Sequence, residues 1–119
     1  FIYCNAGHTP GLLLAGDRVQ ELRQGGPVLG PSPHTHYDRG FVQLEPGDVV
    51  LLYSDGISEA ENLAGEQFGR ERLIDSLRRH RHLPAAELLR RLFEEVEKFS
   101  RGSQYRDDRT LLVIRRTAA

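Results

Sequence analysis

The sequence predicts an α+β domain: antiparallel β-sheets flanked by helices. Three observations carry this expectation. Strand-like apolar runs fill the first half of the chain, two runs with helical periodicity follow, and a β-branched run comes last. Strands, then helices, then a strand argue for segregated layers rather than alternating βαβ units.

The elements follow in order. Residues 1–4 (FIYC) read as a strand, and residues 5–10 (NAGHTP) as turn chemistry, with Gly and Pro as breakers. Residues 11–15 (GLLLA) and 18–22 (RVQEL) form a hairpin across Gly16-Asp17, a two-residue turn signal. Residues 24–36 hold Gly25, Gly26, Pro27, Gly30, Pro31 and Pro33, a density that predicts a loop. Residues 37–44 read as a further strand, with Phe41, Val42 and Leu44 apolar, and residues 45–48 (EPGD) as a turn. The continuous apolar run at 49–53 (VVLLY) predicts a strand buried on both faces. Residues 70–80 place Leu73, Ile74 and Leu77 on one helical face. Residues 84–100 do so more clearly, with Leu88, Leu89, Leu92, Val96 and Phe99 at 3/4 spacing. Pro84 suits a first helical turn and Gly102 a helix end. Residues 101–108 are polar, and 110–114 form a last strand.

Bulk properties narrow the function classes. A length of 119 residues fits one domain, and 39% apolar with 28% charged residues is an ordinary globular composition. A net charge of −1 gives no general attraction to nucleic acid or anionic lipid. No apolar run approaches the ~20 residues of a membrane span. The single cysteine, Cys4, excludes an internal disulfide. It reads as a small core residue and points to a reducing compartment, the cytoplasm. The chain lacks Met and opens directly in sheet-like sequence, which predicts partner strands upstream in a larger domain.

The chemistry concentrates in carboxylates. Asp55 follows the apolar run at a glycine, within "LLYSDGISEAEN", and Asp107-Asp108 precedes the last strand. If those two strands are antiparallel neighbours, Asp55 and Asp107 share one sheet edge. Clustered carboxylates repel, so holding them together calls for a cation or a shared proton. All-oxygen ligands suit Mg²⁺ or Mn²⁺ better than Zn²⁺. The same residues also read as an Asp-Gly turn and a solvated acidic loop.

Four motifs in order, "NAGHTP" (5–10), "LEPGDVVLLYSDGISEAEN" (44–62), "GEQFGRERL" (65–73) and "DDRTLLVIR" (107–115), resemble the bacterial PP2C-like (PPM-type) serine/threonine phosphatases. The branch they resemble is the sporulation-protein-E and stress-response regulator group, and the resemblance covers residues 3–116. It implies an αββα sandwich with a Mg²⁺/Mn²⁺ pair at one end. It also implies hydrolysis of phosphoserine or phosphothreonine by a water that the metal activates. By position, Asp55 and Asp107 are the implied metal ligands through which catalysis runs. Glu59 falls where relatives often carry an Asp for an additional weaker ion, and Asp108 is a neighbour of Asp107 in an outer role. His8 stands where many relatives have an Asp. The implied substrate is a small phosphorylated regulatory protein of the anti-sigma-factor-antagonist type, and a sensor domain is usual upstream.

The family also uses an N-terminal Asp and an adjacent Gly carbonyl, which this sequence does not contain. Residues 1–119 therefore read as the C-terminal portion of a single phosphatase domain, incomplete as an enzyme by itself. The alternative is a non-catalytic regulatory or binding module on the same fold, motivated by His8 and the missing ligand. His34 and His36 with Asp38 read as a solvated loop. The basic run 78–82 reads as a helix C-terminus that suits cations. Ser54 and Ser58 have no adjacent base, so a serine nucleophile has no support.

Overall fold

The computed structural model describes residues 1–104 and 107–118. Its centre is a four-stranded antiparallel sheet. Strands β3 (Gly11–Ala15) and β4 (Arg18–Leu22) form the expected hairpin, β7 (Val49–Tyr53) pairs with β3, and β8 (Leu111–Arg115) pairs with β7, in the order β4-β3-β7-β8. The apolar run at 49–53 becomes a central strand because only an interior position buries both of its faces. Val49, Val50 and Leu51 are fully buried there.

Two minor pairings frame the sheet. Strand β1 (Ile2–Tyr3) pairs antiparallel with β6 (Gly40–Phe41), and β2 (Asn5–Ala6) pairs in parallel with β5 (Gly25–Gly26). Both differ from the sequence reading. The strand expected over 37–44 shrinks to two residues, because its partner offers only Ile2 and Tyr3. Gly40 is needed there, since a Cβ would run into the Tyr3 ring. The glycine-rich loop contributes a strand because Gly25, at φ +157, lies directly on the Asn5 backbone.

Helices α2 (Gly69–His80) and α3 (Ala85–Phe99) cover one face of the sheet, and a four-residue helix α1 (Asp55–Ser58) follows β7. Leu73, Ile74 and Leu77 of α2 and Leu88, Leu92 and Val96 of α3 pack on Leu12, Leu14, Val49, Leu51 and Leu111. Each such side chain contributes about 1.5–3 kcal/mol by leaving water. The opposite face gathers Leu13, Leu22 and Val50, flanked by half-buried Tyr3, Val42, Leu44, Leu52 and Ile114. The polar stretch expected over 101–108 lies partly outside the described residues.

A polar link joins the two long helices. Glu95 accepts two bonds from Arg79, at 2.9 and 3.0 Å, and one contact from His80 Nε2 at 2.9 Å. Burial raises the Glu95 pKa. Ser76, His80 and Arg79 outweigh that and hold it below the usual carboxylate range, although the buried Ser76 hydroxyl completes no hydrogen bond of normal geometry. A depressed folded pKa gives stability that is present above the unfolded value and lost as pH falls through the folded one. Urea unfolding of wild type and Glu95→Gln should therefore differ at pH 7, with the difference shrinking by pH 3. Separately, Leu92→Ala should cost about 2–5 kcal/mol in the same assay, the range for an unfilled buried leucine site.

Candidate metal centre

The end of β7 is built by a change of chemistry within four residues. After Tyr53 the chain leaves the sheet at Ser54, still extended at φ −82 and ψ 162, and turns at once into α1. The Ile57 N–H donates to Ser54 O at 3.1 Å, and the Glu59 N–H donates to Asp55 O at 2.8 Å. Ile57 is fully buried and anchors this turn in the core beside Ala60 and Phe68. Asp55 thereby opens a helix, where a carboxylate is electrostatically favoured. From sequence a helix start, a turn and a metal site are all open at this point, and the structure has a helix start.

The partner strand arrives from the other side. Tyr53 stands opposite Leu111, so the residues after β7 meet the residues before β8. Ser54 N–H donates to Thr110 O at 3.0 Å, and Thr110 N–H donates to Ser54 Oγ at 2.9 Å. The same hydroxyl donates to Asp108 O at 3.2 Å. Gly56 lies flat against this segment. A Cβ there would overlap Asp108 O and sit 2.9 Å from the Asp108 carbonyl carbon and 3.5 Å from that of Asp107. The glycine is required by this close approach; its φ is not among the positive ones, so the expected turn conformation is not the reason.

Asp55 and the Asp107-Asp108 segment are thus brought to one edge of the sheet from distant parts of the chain. Asp107 Oδ1 accepts the Asp108 N–H at 2.7 Å, which fixes the orientation of that carboxylate. Asp55, Glu59, Asp107 and Asp108 are all exposed, and Glu59 lies one helical turn beyond Asp55. Among the described residues, neither the Asp55 nor the Glu59 carboxylate takes part in a hydrogen bond or ion pair. Their donor atoms are all oxygen, which fits a hard divalent cation. Among the described residues, no three His, Cys, Asp or Glu side chains are grouped closely enough to hold an ion by themselves. The edge offers carboxylates from two elements rather than a closed cage.

Beside this edge an open cleft of about 480 Å³ runs onto the second face of the sheet, lined by Tyr3, Cys4, His8, Tyr53, Ser54 and Thr110 among others. Cys4 is exposed, which corrects its reading as a core residue: β1 stops at Tyr3, and Cys4 follows it onto the wall of the open cleft. His8 sits in a loop that Asn5 closes on both sides, Oδ1 accepting His8 N–H at 2.8 Å and Nδ2 donating to His8 O at 2.9 Å. The His8 ring contacts Thr9 O through Nδ1 at 2.9 Å. His36 pairs with Asp38 at 3.0 Å in an exposed loop, in keeping with its solvated reading.

The family described as Stage II sporulation protein E (SpoIIE) matches residues 1–117. The chain belongs to the SpoIIE family of PP2C-type phosphatase domains. It is 32% identical over 120 residues to the phosphoserine phosphatase RsbU of Bacillus subtilis (strain 168). That match covers 98% of this chain and 35% of RsbU. Among solved structures, the SiaA-PP2C domain of Pseudomonas aeruginosa superposes with a TM-score of 0.77 at 27% identity, over 96% of this chain and 45% of that one. The RsbU and RsbW domains of Rv1364c from Mycobacterium tuberculosis give 0.72 at 29% identity, over 98% and 32%. The chain therefore spans about a third of RsbU and less than half of the SiaA-PP2C chain.

Sequence reasoning named the carboxylates of this SpoIIE-family edge but missed what joins them. A serine between an apolar strand and an Asp-Gly, facing an acidic pair that precedes the partner strand, is the signal that could have found the seam. Gly56→Ala should destabilise the domain by about 1–3 kcal/mol, the usual cost of forcing atoms into a filled site. Chemical denaturation of the two proteins side by side measures it.

Proposed function

We propose that this chain forms part of a divalent-metal-dependent protein phosphatase that removes phosphate from serine or threonine of a regulatory protein. One observation carries the reading: the β7–β8 register brings Asp55 and Asp107 to the same sheet edge, with oxygen donors only. Supporting it are the family membership and the likeness to a relative named as a phosphoserine phosphatase.

In this reading Asp55 and Asp107 hold Mn²⁺ or Mg²⁺, with Glu59 and Asp108 in weaker or outer roles. When bound, such ions lower the pKa of a water and offset charge on the phosphoryl group. Asp55 is delivered by a rigid strand end, and Asp107 is oriented by the Asp108 N–H. The remaining ligands would come from parts of the domain outside these residues, in keeping with a chain that spans 45% of the SiaA-PP2C structure. The likeness to RsbU and to a structure holding RsbU and RsbW domains supports a phosphorylated partner-switching protein, of the anti-sigma-factor-antagonist type, as substrate. We place the protein in the cytoplasm, where a single exposed cysteine stays reduced; among the described residues, no helix is long and apolar enough to cross a membrane.

The test is an assay of the complete domain on a phosphoserine protein in Mn²⁺. Asp55→Asn and Asp107→Asn should each lower turnover by at least about 100-fold, the upper end of what losing a mere outer partner of a metal ligand costs. Unchanged turnover in both variants would remove the proposed roles.

A further inference from the structure

We propose that Ser54 is a positioning residue for the metal centre: its hydroxyl locks the Asp107-Asp108 segment onto the strand end that carries Asp55. The inference rests on the metal reading given above and adds a residue that the carboxylate pattern does not contain.

The geometry is specific to the hydroxyl. Ser54 Oγ is both acceptor and donor, taking Thr110 N–H at 2.9 Å and giving its proton to Asp108 O at 3.2 Å. A serine hydroxyl has one proton and two lone pairs, so both bonds can be made at once. The backbone bond from Ser54 N–H to Thr110 O closes the same ring of contacts. Together these fix residues 108 and 110, on either side of Arg109. Arg109 is itself held by Glu97 Oε1 at 2.6 Å and Ser100 Oγ at 3.0 Å. The segment is therefore clamped at successive residues. The Ser54 clamp is the one made by the residue directly preceding Asp55. Gly56 supplies the complementary surface, since only a residue without a Cβ lets Asp108 O come this close.

The consequence follows from the exposure of the two carboxylates. Asp55 and Asp107 are not buried, so packing around their own side chains does not set their separation. It is set by the backbones beneath them, and among the described residues the Ser54 hydroxyl is the side-chain element that ties those backbones together beyond the last ladder pair. Without it, two like charges at one edge are free to move apart when no cation is bound. A loss of pre-organisation should appear as weaker metal binding rather than as loss of the fold. Partners that orient metal ligands typically account for 10–100-fold in metal affinity, about the effect anticipated here.

The experiment is Mn²⁺ titration of the complete domain followed by electron paramagnetic resonance, at a temperature where every variant is folded by circular dichroism. Ser54→Ala should weaken Mn²⁺ binding by about 10–100-fold, and Ser54→Thr, which keeps the hydroxyl, should restore it to within about threefold. Ser54→Cys keeps the volume but offers only a weak donor and acceptor, and it should resemble the alanine variant. Asp55→Asn is the control. If it weakens Mn²⁺ binding while Ser54→Ala and Ser54→Cys bind as wild type, the positioning role is overturned and the metal reading stands. If Ser54→Ala does not fold, wild-type binding by Ser54→Cys overturns the role equally. If Asp55→Asn itself binds as wild type, the metal reading fails and the proposal falls with it.

Discussion

The molecule depends on one pairing, the antiparallel contact between β7 and β8, and on how it is sealed at its open end. Five residue pairs run from Val49–Arg115 to Tyr53–Leu111. The sheet ladder ends there, but the contact continues through Ser54, Thr110, Asp108 and Gly56. Ladder bonds are made by any sequence that forms strands. The continuation is chemical: it needs a hydroxyl at 54 and a bare Cα at 56. Removing either would leave the sheet intact and let the acidic segment drift.

The rest of the fold keeps this pairing central. Helices α2 and α3 bury Leu12, Leu14, Val49 and Leu51 on one face, so β7 cannot slide without exposing them. At the far end of the sheet the register is closed again, since Gly47 N–H donates to Arg116 O at 2.7 Å and Arg116 N–H donates to Asp48 O at 3.1 Å. Arg115 reaches the carbonyls of Arg81 and Leu83 between the two helices, tying the last strand to the helical layer. The strand that delivers Asp55 is thus held by the helical layer, by a neighbouring strand on either side and at both ends.

Much of this was legible in the sequence where a signal is local. The run at 49–53 matched its strand residue for residue, because continuous apolarity bounded by Asp48 and Ser54 leaves little choice of register. Helix α3 fell within one residue at each end, its Leu88, Leu92 and Val96 spacing being unbroken. Strand 37–44 was over-read because the length of a strand depends on its partner, and β1 contributes only two residues. Cys4 differs from its reading for the same reason: an apolar neighbourhood in sequence does not reveal where a short strand stops. At the site, Asp55 and Asp107 were named from their places at strand ends. Ser54 has no base beside it in sequence and so carries no local sign of a role. Its contacts lie with residues 108 and 110, so no local pattern shows them.

The account turns on whether Asp55 and Asp107 share an ion. A crystal structure of the complete domain grown with Mn²⁺, with anomalous diffraction collected at the manganese edge, addresses this without reference to turnover. The account predicts an anomalous peak within Mn–O bonding distance of both carboxylates, with the Ser54 hydroxyl still bonded to Asp108 O. Manganese bound by neither carboxylate would contradict it.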